Sequence, residues 1–327
     1  MGSEAIAGRY FAPEFYEAAM TQTDTFPGLH THQIWEYERL IPGGIVAGVD
    51  GSSESVAALA TAAALARSRH CPLHVVTAIP PFPSYHLIPI VDDDSDSVEE
   101  LRIGLKNSEL REIMNEMSPE DDWTSEVAVG RPARVLTTIA EHRGADLIVL
   151  GRREHGVMDK VLGGETTLQV MRMATIPVLA VSSTLEGPRT VVVAMDFSVA
   201  GIKAARVARE FLGASGTLYL VYVEPPADLL PGGFTLPGET RFPGDVAIWF
   251  RRLTAELDPQ VGLLIEPVVL NGKPVGSISE FAERVGADMI AAGSHGHTRM
   301  ERFLLGSVST GLVRNAHCPV LVVPHSD

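Results

Sequence analysis

The chain has 327 residues, 26 Lys and Arg against 41 Asp and Glu for a formal charge of −15, and 45% hydrophobic residues. That length suits two domains, with apolar material for two cores. The acidity argues against a nucleic-acid binder, since phosphate backbones are held by basic patches; no run approaches the ~18 apolar residues of a membrane span; and the start, MGSEAIAGRY, lacks a basic stretch ahead of an apolar core, so no secretory signal is expected and a cytoplasmic location fits best.

Residues 1–42 stand apart, rich in aromatics and histidine, with short helices predicted near 13–20 and 32–40. They read as an arm packed on a domain surface or a partly ordered tail. His30 and His32 could join a metal site, but no third ligand is nearby. Cys71 and Cys318 each precede a proline at the head of an apolar run, outside any CxxC pattern, and are expected to be buried and reduced.

From Gly43 the chain repeats itself once. GIVAGVDGS (44–52) corresponds to TVVVAMDFS (190–198), which sets Asp50 opposite Asp196. RGADLIVLG (143–151) corresponds to VGADMIAAG (285–293), an offset of 142 that also pairs Gly130-Arg-Pro with Gly272-Lys-Pro, Gly164 with Gly306, and IPVLAV with CPVLVV. The reading is therefore an extension (1–42), a first domain (43–183), a linker STLEGPR (183–189) and a second domain (190–327).

Each copy reads as five strands alternating with four helices, the α/β pattern of a parallel sheet covered on both faces. Strands are predicted near 44–50, 73–79, 124–129, 145–151 and 178–182, then 190–196, 217–223, 262–270, 287–293 and 319–323. Helices are predicted near 53–69, 98–117, 132–143 and 163–174, then 199–212, 244–257, 274–285 and 306–315. The longest connections, 80–97 and 224–243, follow the second strand of each copy; the first holds DDDSDSVEE, read as a solvated lead into a helix N-terminus, and the second has the Pro and Gly of a lid or interaction loop. Such sheets bind ligands beyond the carboxyl ends of their strands.

The stretch GSHGHTRMERFLLGSVS (293–309) carries the chemistry, with glycines spaced G-x2-G-x9-G-S between a strand and a helix. Glycines let the backbone approach a ligand, successive N–H groups form an anion-binding concavity, and a helix opening at Gly306 and Ser307 adds its N-terminal dipole. Together these devices suit a phosphate chain. With the flanking run NAHCPVLVVP (315–324), the pattern resembles the universal stress protein family, whose ATP-binding members carry it.

That resemblance implies two tandem flavodoxin-like, Rossmann-like domains, each a five-stranded parallel sheet in the order 3-2-1-4-5. It implies ATP, with Mg2+, in the second domain. Asp196 and Ala194 would lie on the nucleoside side, and Val223 would offer backbone to the adenine. Gly293, Ser294, Gly296, His297, Thr298 and Arg299 would form the phosphate loop, and Gly306, Ser307, Val308 and Ser309 would finish the cradle, hydroxyls and N–H groups facing the phosphates. A competing reading of Asp196 is the N-cap of the following helix.

The first copy departs from this pattern. It keeps Gly151 and Gly164, but Glu154 stands for the second loop glycine and Glu165 for the serine. Carboxylates facing a polyanion repel it, by about 4 kcal/mol at 4 Å and an effective dielectric of 20, so the first site is expected to be degenerate: empty, or used by something other than ATP. No general base for water attack is identifiable, so a regulatory, nucleotide-holding stress protein is expected rather than an efficient enzyme. The alternatives are a nucleotide-independent scaffold and a slow ATPase or a phosphotransferase modifying Ser307 or Ser309. Neither an SGGxDS loop, a GxGxxG opening the first helix, nor a GxxxxGK[ST] motif occurs, which argues against related nucleotide enzymes. The apolar last strand needs a partner along its edge, and the resemblance implies pairing there and a homodimer, with an unidentified regulatory protein as partner.

Overall fold

The computed structural model describes residues 9–10, 43–81, 95–152, 164–212, 215–224, 243–257, 262–296 and 305–325. The helices expected near 13–20 and 32–40, His30, His32 and most of the loop 224–243 lie outside them. The chain divides into two compact units, Ile41–Glu186 and Gly187–Asp327, the second including an amino-terminal strand β1 (Arg9–Tyr10).

In the N-terminal unit β2 (Ile45–Gly48), β3 (Leu73–Ile79), β4 (Thr124–Val129), β5 (Leu147–Gly151) and β6 (Val178–Val181) alternate with α1 (Ser53–Arg69), α2 (Ser95–Glu116), α3 (Pro132–Arg143) and α4 (Gly164–Met173). The strands are parallel, in the order β4-β3-β2-β5-β6. In the C-terminal unit β7 (Thr190–Met195), β8 (Gly216–Glu224), β9 (Leu263–Asn271), β10 (Met289–Gly293) and β11 (Val320–Val323) alternate with α5 (Val199–Leu212), α6 (Pro243–Glu256), α7 (Pro274–Arg284) and α8 (Ser307–Asn315). Their order, β9-β8-β7-β10-β11, is the same 3-2-1-4-5. The strand β1 adds to the outer edge of β9, antiparallel, with Tyr10 opposite Val268.

Local chemistry explains these elements. The central strands are short runs of Val, Ile, Leu and Ala buried along their length, as expected where helices cover both faces. The alanine-rich α1 starts at Ser52, whose side chain accepts the Ser55 N–H, and closes at His70, in the left-handed conformation. Proline occupies the first turn of α3 and α7, where its missing N–H costs nothing.

One carboxylate in each unit pins the start of the first strand to the fourth. Asp288, just ahead of β10, accepts the N–H groups of Arg189 and Thr190 at 2.8 and 2.9 Å. Asp146, just ahead of β5, accepts the N–H of Gly43; burial pushes its carboxyl up, with the Gly43 bond opposing. With their amino ends pinned, the paired first and fourth strands deliver their carboxyl ends to one place, at the switch point of the sheet.

Candidate functional site

In the C-terminal unit β7 ends at Met195, and the next three residues make a tight turn into α5. The Asp196 carboxylate accepts the Ser198 N–H at 2.9 Å. Phe197 takes a left-handed backbone, φ +59°, unfavourable for a bulky residue. Its buried ring is held among Phe250, Trp249 and Tyr222, with centroids 5.0, 5.2 and 5.8 Å away, and this aromatic packing offsets the strain. Ser198, rather than Asp196, supplies the side-chain cap: its hydroxyl accepts the Gly201 N–H at 3.1 Å. The same hydroxyl donates to the His295 carbonyl at 3.3 Å, tying the turn after β7 to the loop after β10.

That loop begins at Gly293, where a Cβ would stand 2.7 Å from backbone atoms of Ala200 and Gly201. The glycine thus lets the first turn of α5 cross the end of β10. Ser294 donates its N–H to the Val323 carbonyl at 2.7 Å, and its carbonyl accepts the Gly306 N–H at 2.7 Å. Its hydroxyl, buried, accepts the His325 N–H at 3.1 Å and lies 3.0 Å from His295 Nδ1. A Cβ on Gly296 would stand 2.6 Å from Asp196 Oδ2, and one on Gly306 would stand 3.0 Å from the Ser294 carbonyl.

The start of α8 is set against this loop. Gly306 is its N-cap and makes no side-chain cap bond, so the cap residue leaves the first-turn N–H groups to other partners. Ser307 is exposed and Val308 partly so. Ser309, 3% exposed, donates its hydroxyl to the Gly293 carbonyl at 2.5 Å, locking α8 to the end of β10. The structure therefore brings together Asp196, Gly293, Ser294, Gly296, Gly306, Ser307 and Ser309. The hydroxyls of Ser294 and Ser309 serve the scaffold, leaving backbone groups and Ser307 for a ligand. Ala194 is half-buried in β7 and Val223 buried in β8. His297, Thr298 and Arg299 lie outside the described residues. The Nε2 atom of His295 is buried without a hydrogen-bond partner among the described residues; burial, then the nearby His325, pull its pKa below the usual imidazole value.

The N-terminal unit repeats the machinery. Asp50 accepts the Ser52 N–H at 2.9 Å, Ser52 accepts the Ser55 N–H at 3.3 Å, and Thr167 donates to the Gly151 carbonyl at 3.0 Å. A Cβ on Gly151 would stand 2.6 to 2.7 Å from backbone atoms of Glu54 and Ser55. Gly51, φ +88°, takes the position of Phe197. Two charged residues are new near the strand ends: Glu54 stands where the second unit has Ala200, and Arg152, 4% exposed, where it has Ser294. Glu154 and the Glu165 side chain lie outside the described residues.

The serine caps, the strained Phe197 and Glu54 are not among the residues singled out by the motif. The signal was present, since aligning DGSSES with DFSVAG sets Ser52 against Ser198 and Glu54 against Ala200. Among the described residues, no group of three or more His, Cys, Asp or Glu could hold a metal ion, and no helix is long and apolar enough to cross a membrane. Both cysteines are buried and neither forms a disulfide.

The universal stress protein family model matches residues 44–182 and, a second time, 188–324. The chain belongs to the universal stress protein family. A universal stress protein of Methanocaldococcus jannaschii is 37% identical to it over 141 residues, 41% of this chain and 81% of that one. One from Mycobacterium tuberculosis is 28% identical over 306 residues, 85% of this chain and 94% of the relative, so the similarity runs through both units. Among solved structures, a universal stress protein from Archaeoglobus fulgidus superposes with a TM-score of 0.63 at 19% identity, covering 88% of this chain and 98% of that one, a likeness of fold.

Proposed function

We propose that this universal stress protein is a cytoplasmic regulatory protein that holds ATP, accompanied by Mg2+, in its C-terminal unit. The observation that carries the reading is the meeting of an open helix N-terminus, at Gly306 and Ser307, with a loop whose glycines have no room for a side chain, beside the carboxylate of Asp196. Backbone N–H groups and a helix dipole suit phosphates. The fit extends to His295, whose buried Nε2 lacks a partner among the described residues on the same loop.

In this reading the N–H groups of Gly296, Ser307 and Val308 hold phosphate oxygens, with His297, Thr298 and Arg299 completing the loop. Asp196 and Ala194 flank the nucleoside, and Val223 presents backbone to the base. The triphosphate brings its own Mg2+ with retained waters, as that ion prefers. The function is nucleotide-dependent signalling to a protein partner by a homodimer, not turnover.

The test is to purify the protein without added ligand, denature it and identify any released nucleotide by mass. Wild type is expected to release ATP, and Gly296→Glu none, because the new side chain starts 2.6 Å from Asp196 Oδ2 and carries a carboxylate into the cradle. Absence of nucleotide, together with no thermal shift on adding MgATP, would leave a scaffold acting by protein contacts.

A further inference from the structure

The N-terminal unit contains a cavity of about 170 Å3 between the carboxyl ends of β2 and β5. That is comparable to the roughly 150 Å3 of an engineered protein cavity that holds a benzene ring. Its apolar lining includes Val76, Ala78, Pro132, Leu136 and Leu150; its polar lining includes Asp50, Ser52, Glu54 and Thr166. Among the described residues that line it, none is Lys, Arg or His.

Register shows how this crevice departs from its twin. Gly48, flanked by Val76 and Leu150, occupies the place that Ala194, flanked by Val221 and Ala292, has in the second unit. Ala78, two residues beyond Val76, stands where the second unit has Val223. Where the adenine is proposed to lie in one unit, the other therefore has smaller residues at two positions and a larger one, Leu150 for Ala292, at a third. The ring-binding end has been reshaped rather than filled.

The polar end has gained a carboxylate in its lining, while Arg152, the other charged residue new to this unit, is buried outside the lining and donates to the Ser182 hydroxyl at 3.3 Å. Glu54, in the first turn of α1, stands where the second unit has the methyl group of Ala200, at the helix terminus that would otherwise attract an anion. Its described hydrogen bond is from the Ser53 hydroxyl, at 3.0 Å. Together with Asp50 it places two carboxylates around the cavity, which accept hydrogen bonds and repel anions.

We propose that this crevice is a second ligand site, independent of the C-terminal cradle, which takes a small non-anionic ring compound bearing hydrogen-bond donors and excludes phosphorylated compounds. The apolar walls take the ring, and Asp50 and Glu54 accept from its amino or hydroxyl groups. The pair of units then combines two inputs, one phosphorylated and one not.

The experiment is ligand-observed NMR and calorimetry on the full chain with adenine, adenosine and AMP as probes. Four proteins are compared: wild type, Ala78→Phe, Gly296→Glu and the double variant Gly296→Glu/Glu54→Gln. Ala78 is half-buried in the lining, so the larger ring obstructs the cavity from its open side; melting curves confirm folding. Adenine or adenosine binding is expected in wild type and Gly296→Glu, and to weaken at least tenfold in Ala78→Phe. AMP is expected to be rejected at this site in Gly296→Glu, and to gain at least fivefold in affinity when Glu54→Gln is added to that variant. Binding of adenine or adenosine that is lost in Gly296→Glu and untouched in Ala78→Phe would overturn the proposal, as would failure of both to bind. Because Gly296→Glu disables only the C-terminal cradle, loss of the ATP reading leaves this result standing.

Discussion

Single atoms at the strand ends decide the geometry of both crevices. Gly293 has backbone of Ala200 and Gly201 where a methyl group would go, so Gly293→Ala is expected to cost about 1–3 kcal/mol in urea denaturation, as overpacking does; an unchanged midpoint would mean that α5 can move aside. Ser309→Ala removes the donor to the half-buried Gly293 carbonyl, and about 0.5–1.5 kcal/mol should be lost with it. A different residue sets the response to pH. His74 is buried in β3, its Nδ1 2.6 Å from Thr124 Oγ1 and its Nε2 3.1 Å from Glu126 Oε1. Burial pulls its pKa below 6.5, against the pull of Glu126. The folded state thus binds fewer protons than the unfolded one, so the stability held above pH 6.5 is lost as pH falls below it. The melting temperature should drop between pH 7.5 and 5.5, and drop less in His74→Gln; equal slopes in the two proteins would remove His74 from this role. His295, shifted the same way, contributes with the same sign.

The turn after each first strand does more than connect. Ser52 and Ser198 both cap a helix, and each Ser→Ala should cost about 1 kcal/mol. Ser198 also holds the His295 carbonyl, so Ser198→Ala should weaken ATP binding several-fold while Ser52→Ala leaves it unchanged. Equal affinities in the two variants would show that the bridge to His295 does not shape the cradle. Much at this scale was legible in the sequence. Runs such as IVAG and MIAAG could only be strands buried on both faces, and the offset of 142 tied glycine to glycine across the two copies. The cap was less legible, because Asp196 and Ser198 are both good capping residues and only the backbone of Phe197 decides between them. The α2 helix begins at Ser95, three residues ahead of the expected start, since acids tolerated in a loop are also favoured in a first helical turn. The strand at Arg9–Tyr10 left no trace in the sequence: two residues carry no periodicity, and its pairing with β9 comes from the partner strand's edge.

Across the whole molecule, one fold has been used twice with different chemistry at the strand ends. In the C-terminal unit glycine, alanine and a helix terminus without a side-chain cap meet; in the N-terminal unit Glu54 stands beside a reshaped apolar crevice. Nucleotide should therefore protect one unit preferentially. At 100 times its dissociation constant, MgATP should stabilise the unit that binds it by about 2.7 kcal/mol, and slowed amide exchange should concentrate in Gly187–Asp327, especially in α8 and the end of β10. Equal protection in Ile41–Glu186 would contradict the division of labour. The most direct test is the stoichiometry of MgATP binding by calorimetry on the intact chain, in wild type and Gly296→Glu. One ATP should bind per chain, and none after the substitution; two per chain, or one that survives Gly296→Glu, would overturn the assignment of nucleotide to the C-terminal cradle.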